Sequence, residues 1–148
     1  MSYILNHLRT APPPKLNPSR PLLPGSPPPT QLPLDPILYL TLAIDSVAPL
    51  MKLKKLAGAA GGGQALPIPF PLSVRQRRRT AMMWIIDTAA KRPSKGSGRG
   101  QFAQRVAEEI VSVVEGKSGA WEKRALAHKM ATANRMNLNY RKPKNSRG

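Results

Sequence analysis

Three places in the chain carry residue types that could do chemistry: the adjacent acids Glu108 and Glu109, the imidazole of His128, and the glycine-rich run PSKGSGRG from Pro93. Paired carboxylates can share acid-base work, but neighbours on a helix diverge by about 100° and cannot flank one substrate atom. Glu108 and Glu109 are therefore expected on a solvated surface. The glycine run invites comparison with phosphate cradles, yet it has neither the Gly-Lys-Ser/Thr ending nor a Gly-x-Gly-x-x-Gly spacing after a strand. His128 has no co-ligand and no nucleophile in view, so a phosphate or base contact, or a capping role, suits it better. Cysteine is absent, which excludes disulfides, thiolate zinc sites and thiol nucleophiles. With His7 the only other histidine, and acids never at ligand spacing, neither a metal, a cofactor nor an enzyme is expected.

What the chain has in quantity is positive charge. Twenty-four Lys and Arg stand against seven Asp and Glu, a net +17 over 148 residues. Such a chain repels itself unless a polyanion neutralises it. Nucleic acid is the first expectation for that partner, an anionic membrane the second. The most apolar window, ILYLTLAIDSVAPLM from Ile37, is interrupted by Asp45 and Pro49 and falls short of the roughly 20 apolar residues of a membrane span. The opening MSYILNHLRT has no basic leader and no small-residue cleavage site, so no signal peptide is expected. A basic peripheral adaptor, using the prolines and an amphipathic helix, is the alternative. Against it, the arginines of VRQRRRTAMMWIIDTAAKR precede the apolar run instead of lying opposite it, and no membrane partner is expected.

The elements that must position these charges follow from the pattern. APPPKLNPSRPLLPGSPPPTQLPLDP holds eleven of the seventeen prolines, whose fixed φ and missing N–H predict an extended arm. Asp35-Pro36 predicts an N-cap and first helical position, opening an apolar helix that stops at Pro49. Met51 and Leu53 alternate with Lys52 and Lys54, and Leu66, Ile68, Phe70 and Leu72 alternate with Pro67, Pro69 and Pro71. A period of two on both sides of a glycine-rich tip predicts a hairpin ribbon over about 49–73. Its proline-bearing arm must turn its missing donors away from its partner. Ala81, Met82, Ile85, Ile86 and Ala89 predict a buried helical stripe after the arginines, which are expected to end the ribbon. Phe102, Val106, Ile110 and Val113 predict an amphipathic helix ending at Gly116. From Ser118 to Lys142 a continuous helix is expected, with Leu126, Met130, Ala133 and Tyr140 packing. Arg124, His128, Arg135 and Lys142 would form an acid-free stripe on the opposite side. A basic tail, 141–148, completes the chain.

The C-terminal pattern is also recognisable. GAWEKRALAHKMATANRMNLNYR, Gly119 to Arg141, resembles the last helix of small-subunit ribosomal protein seven, the uS-seven family. The matching residues are Gly119, Ala120, Lys123, Arg124, His128, Lys129, Met130, Ala131, Ala133, Asn134, Arg135, Tyr140 and Arg141, without a gap. WIIDTAAKR, RVAEEI and DSVAPLMKLKK resemble its preceding helices and its helix-to-ribbon passage, so the likeness covers roughly residues 35–142. It implies a mainly α fold: a helical bundle with a protruding β-hairpin ribbon, here preceded by an extended Pro-rich segment. Residues 1–34 would hold a residual helix end and the insert, and 35–148 the family domain. Compared with the family pattern, the basic arm and two helices that precede Asp35 are reduced to MSYILNHLRT, which implies a truncated start. The insert and the shortened arginine helix resemble fungal mitochondrial members, which implies a mitochondrial ribosome over a cytoplasmic or other organellar one.

The resemblance implies a non-catalytic scaffold that binds the 3′ major domain of small-subunit rRNA and nucleates head assembly. It further implies contact with mRNA and exit-site tRNA, and ribosomal proteins nine and eleven as neighbours. Charge and resemblance together nominate as rRNA contacts Lys52, Lys54 and Lys55 on the ribbon, Arg75, Arg77, Arg78 and Arg79 after it, and Lys91, Arg92, Lys95 and Arg99 around the glycine run. Lys123, Arg124, His128, Arg135, Arg141 and Lys142 follow at the C-terminal end, and Gly58, Gly61, Gly62 and Gly63 form the expected tip toward mRNA and tRNA. Contacts mostly to phosphate are expected, because Arg and Lys with few exposed aromatics favour backbone recognition.

Overall fold

The computed structural model describes residues 1–56, 66–93, 96, 98 and 100–139. Its most apolar helix begins where the sequence has a cap: the Asp35 carboxylate accepts from Leu38 N–H (3.2 Å) and Pro36 takes the first helical position, where its missing N–H costs nothing. This helix, α2 (Pro36–Val47), buries Tyr39, Leu42, Ala43, Ser46 and Val47 and ends before Pro49. Around it pack α1 (Ser2–Thr10), α3 (Val74–Ala90), α4 (Gln101–Val114) and α5 (Ala120–Ala133). Their shared core includes Leu8, Ile85, Ile110, Val113 and Trp121, with Leu32 from a short 3-10 helix, Pro29–Leu34. Leu8 and Leu32 are fully buried, so the first 34 residues share the core of the rest. Each such leucine contributes about 1.5–3 kcal/mol.

The 3-10 helix is a departure from the expected extended arm. Proline is tolerated at its start, and the shorter i→i+3 ladder loses less to Pro33 than an α-helix would. Upstream, the arm lies across the end of α4. There Gly116 adopts φ +76°, and a Cβ at that position would stand 2.9 Å from Asn17 Cβ. Gly116 N–H donates to Val113 O and Lys117 N–H to Ser112 O, the paired bonds of a left-handed helix stop.

The ribbon is a two-stranded antiparallel sheet of β1 (Met51–Leu56) and β2 (Leu66–Pro71). Its register pairs Lys52 with Phe70, Lys54 with Ile68 and Leu53 with Pro69. Leu72 N–H donates to Leu50 O (3.0 Å), which sets the hydrogen-bonded positions at the even-numbered residues. Pro67, Pro69 and Pro71 thus fall where no donor is needed, as their spacing predicts. The four arginines expected to end the ribbon sit one step later, in the first turns of α3. Ser73 and Gln76 close a reciprocal capping box there (3.0 and 3.3 Å).

Three further expectations change. In α3 only Ala81, Ile85 and Ala89 are buried; Met82 and Ile86 lie on the exposed side, because a line of residues four apart, mostly alanine, already gives a close helix contact. Phe102 of α4 is likewise exposed. The last helix ends at Ala133 and tightens into a second 3-10 helix, Arg135–Asn139, instead of continuing to Lys142. Among the described residues no helix is long and apolar enough to cross a membrane, and no group of three or more His, Cys, Asp or Glu could hold a metal ion.

Candidate nucleic-acid interface

Among the described residues, the nominated cations separate into those with a hydrogen bond or ion pair inside the chain and those without. The first group gathers where the ribbon leaves the bundle. The passage from α2 to β1 turns at buried Pro49 and leaves backbone polar groups without a ladder, and buried backbone groups require partners. Arg124 Nε–H donates to Ala48 O (3.4 Å), and Leu50 N–H donates to His128 Nε2 (3.0 Å). On the other arm, Arg77 Nε–H donates to Leu72 O (2.8 Å). Asn137, from the second 3-10 helix, donates to Pro67 O (2.7 Å) farther out along β2. The root of the ribbon is thereby held from three elements.

This geometry inverts the expected orientation of α5. Arg124 and His128 lie on its packed side with Ala120, Trp121 and Ala131, whereas Leu126 and Met130 are 57% and 47% exposed. Size explains the inversion: alanines allow the helix to approach closely, and the Arg and His stems fill the remaining space while their heads meet carbonyl and amide groups. Burial, then the neighbouring Arg124 charge, lower the pKa of His128, which suits an imidazole nitrogen accepting a hydrogen bond. Burial also lowers that of Arg124.

Arg78 and Arg92 pair with acids. Arg78 forms a two-pronged pair with Asp45 (2.8 and 2.9 Å) at the surface. Arg92 donates to Glu109 (2.5 Å) and to Ser112, while Ser118 donates to the other Glu109 oxygen. Glu109 is only 1% exposed, so the expectation of a surface acid fails. The 100° divergence that excludes a catalytic pair also lets Glu109 turn inward while Glu108 remains toward solvent, 3.8 Å from Arg92. A buried carboxylate is tolerable here because a guanidinium and a hydroxyl satisfy it.

Lys52, Lys54, Lys55, Arg75, Arg79, Lys91 and Arg135 are exposed, Lys123 is half-buried, and among the described residues none of these side chains has a hydrogen bond or ion pair. Lys54 instead places its ammonium 5.3 Å from the centroid of the Phe70 ring, an arrangement worth about 0.5–1 kcal/mol at an exposed site. Lys129 is also exposed, and the helical pattern hides it because its neighbours Leu126 and Met130 look like core. Phe70 is missed by a search for charge alone, although the alternation around the glycine tip places it among the ribbon lysines. Gly58, Gly61, Gly62, Gly63, Lys95, Arg99, Arg141 and Lys142 lie outside the described residues.

Comparison with known proteins bears on what this surface is for. The family model for ribosomal protein S7p/S5e matches residues 29–135. Small ribosomal subunit protein uS7m of Neurospora crassa is 64% identical over 139 residues, 94% of this chain and 45% of that protein. Small ribosomal subunit protein uS7 of Azotobacter vinelandii is 35% identical over 107 residues, and that of Acinetobacter baumannii 36% over 110; these cover 72% and 73% of the chain and 64% of each relative. The chain thus spans under half the length of the Neurospora relative and under two thirds of the bacterial ones. The match to Neurospora leaves so little of the chain outside that most of the Pro-rich segment is shared with it. The higher identity to uS7m marks the chain as the mitochondrial type. On the family model and these relatives together, the chain belongs to the ribosomal protein S7p/S5e family.

Proposed function

We propose that this chain is a structural constituent of the small subunit of the mitochondrial ribosome, bound to the 3′ major domain of its rRNA. In this role it nucleates assembly of the subunit head and directs its ribbon along the exit path of mRNA and tRNA, beside small-subunit ribosomal proteins nine and eleven. The observation that carries the proposal is the set of cations on β1, both ends of α3 and the C-terminal elements that have no hydrogen bond or ion pair among the described residues, in a chain of net charge +17. Such a surface gains affinity by releasing counterions from phosphates. Lys52, Lys54, Lys55, Arg75, Arg79, Lys91, Lys123 and Arg135 are the proposed contacts among the described residues. Arg77, Arg78, Arg92, Arg124 and His128 act by holding the elements that present them.

Sedimentation tests this directly. The tagged chain, expressed in a fungal host, should travel with mitochondrial small subunits through a gradient and be released by high salt. A chain that remains in the ribosome-free fractions at low salt would refute the proposal.

A further inference from the structure

Phe70 is one of two phenylalanines, and it is 39% exposed on a ribbon with no acid on either strand. Residues directly opposite in an antiparallel pair share a face, so Phe70 stands beside Lys52, with Lys54 above its ring on the same face. The two lysines are two residues apart along an extended strand, roughly 6.7 Å, a spacing suited to neighbouring phosphates of an extended single strand. Phe102, the other exposed phenylalanine, has a different setting: it lies on a helix beside Arg105 of the same turn.

We infer that Phe70 is a stacking platform for an unpaired nucleobase of single-stranded RNA, with Lys52 and Lys54 taking the flanking phosphates. This rests on the proposed RNA-binding role and adds to it the form of RNA that the ribbon takes. A duplex hides its base faces and offers the ribbon only phosphates, so the ring adds nothing there. A single strand exposes base faces of every sequence to an aromatic ring. The Lys54 ammonium that rests over the ring in the free protein moves to a phosphate as the base takes its place.

The test compares the full chain with Phe70→Leu and Phe70→Tyr in binding a short unstructured single-stranded RNA and a duplex of equal length, at one salt concentration. Phe70→Leu should lose about tenfold in affinity for the single strand and nothing for the duplex, while Phe70→Tyr keeps both. The wild-type chain should lose a similar factor when the single strand is replaced by one lacking bases, a measurement that needs no variant to fold. Equal single-strand binding by wild type and Phe70→Leu, or undiminished binding of the baseless strand by wild type, overturns the inference while leaving the broader proposal standing. Wild-type protein that binds neither RNA overturns both.

Discussion

At the joints of the bundle, arginines donate to carbonyls where elements end: Arg124 to Ala48 after α2, Arg77 to Leu72 after β2, Arg105 to Ala90 and Arg92 at the end of α3, and Arg20 to Gly116 after α4. On the ribbon, Lys52 and Lys55 project from β1 without any such partner among the described residues, and the partner of Lys54 among them is the Phe70 ring. Both regions are cationic, but guanidinium is planar, weakly hydrated and has several donors, so it survives partial burial against carbonyls. An ammonium on a flexible stem is strongly hydrated and better left in water. A high net charge can therefore overstate the binding surface of a basic protein, because part of it is fastening.

The most buried of these fastenings is the pair of Arg92 with Glu109. Glu109→Ala leaves the Arg92 guanidinium with the weaker Glu108 pair at 3.8 Å and the Ser112 hydroxyl, and should cost about 3–5 kcal/mol of stability in urea unfolding. Glu109→Gln, which retains an acceptor, should lose less. A loss no greater than that of an exposed glutamate would show that the Arg92 joint is not holding α3 to α4. Next is Gly116→Ala, which meets both the φ of +76° and the Asn17 contact. It should cost about 1–3 kcal/mol, whereas Gly119→Ala, with open space and no positive φ, should unfold within about 0.5 kcal/mol of wild type.

The partnerless cations should behave in the opposite way. Arg75→Ala with Arg79→Ala should leave the melting temperature almost unchanged and reduce the salt slope of rRNA binding by roughly 0.7–0.9 for each phosphate that is no longer neutralised. Arg124→Ala should lower the melting temperature more than it changes that slope. If the two behave alike, the division between fastening and free cations is wrong.

Acid should reveal the ribbon root more gently. His128 has a folded pKa below its ordinary 6.5, so the unfolded chain takes up the proton first as pH falls. The stability this neutral imidazole supports is complete above about pH 6.5 and is lost as pH drops through the folded value. In His128→Gln, whose side-chain oxygen can accept from Leu50 without titrating, the decline between neutral and acidic pH should be shallower. The smallest effect is expected for Arg78 and Asp45, paired in two places but with Arg78 exposed and Asp45 only partly buried. A double-mutant cycle with Arg78→Met and Asp45→Asn should give a weak coupling that disappears at high salt.

Much of the frame is legible in the residues. Asp35-Pro36, Gly116 and the proline alternation each specify a local backbone state, so their caps, stop and register follow without tertiary knowledge. The orientation of α5 is not legible, because Leu126 and Met130 look like core and Arg124 and His128 like surface until the orphaned backbone groups at Ala48 and Leu50 are in view. Those groups belong to a chain segment 76 to 78 residues away, and no periodicity within the helix reports them. The inward turn of Glu109 is hidden for the same reason, since its partner Arg92 and its neighbour Ser118 come from other elements.

The prolines of β2 have a further consequence. They occupy every position of that strand whose backbone points away from β1, so the outer border offers no N–H to an approaching strand, and one of its carbonyls is already taken by Asn137. A two-stranded ribbon with an open outer edge would otherwise be a template for joining copies edge to edge. Here newly made chains cannot zip together along that border, and the prolines that keep the ribbon extended also keep it from aggregating there.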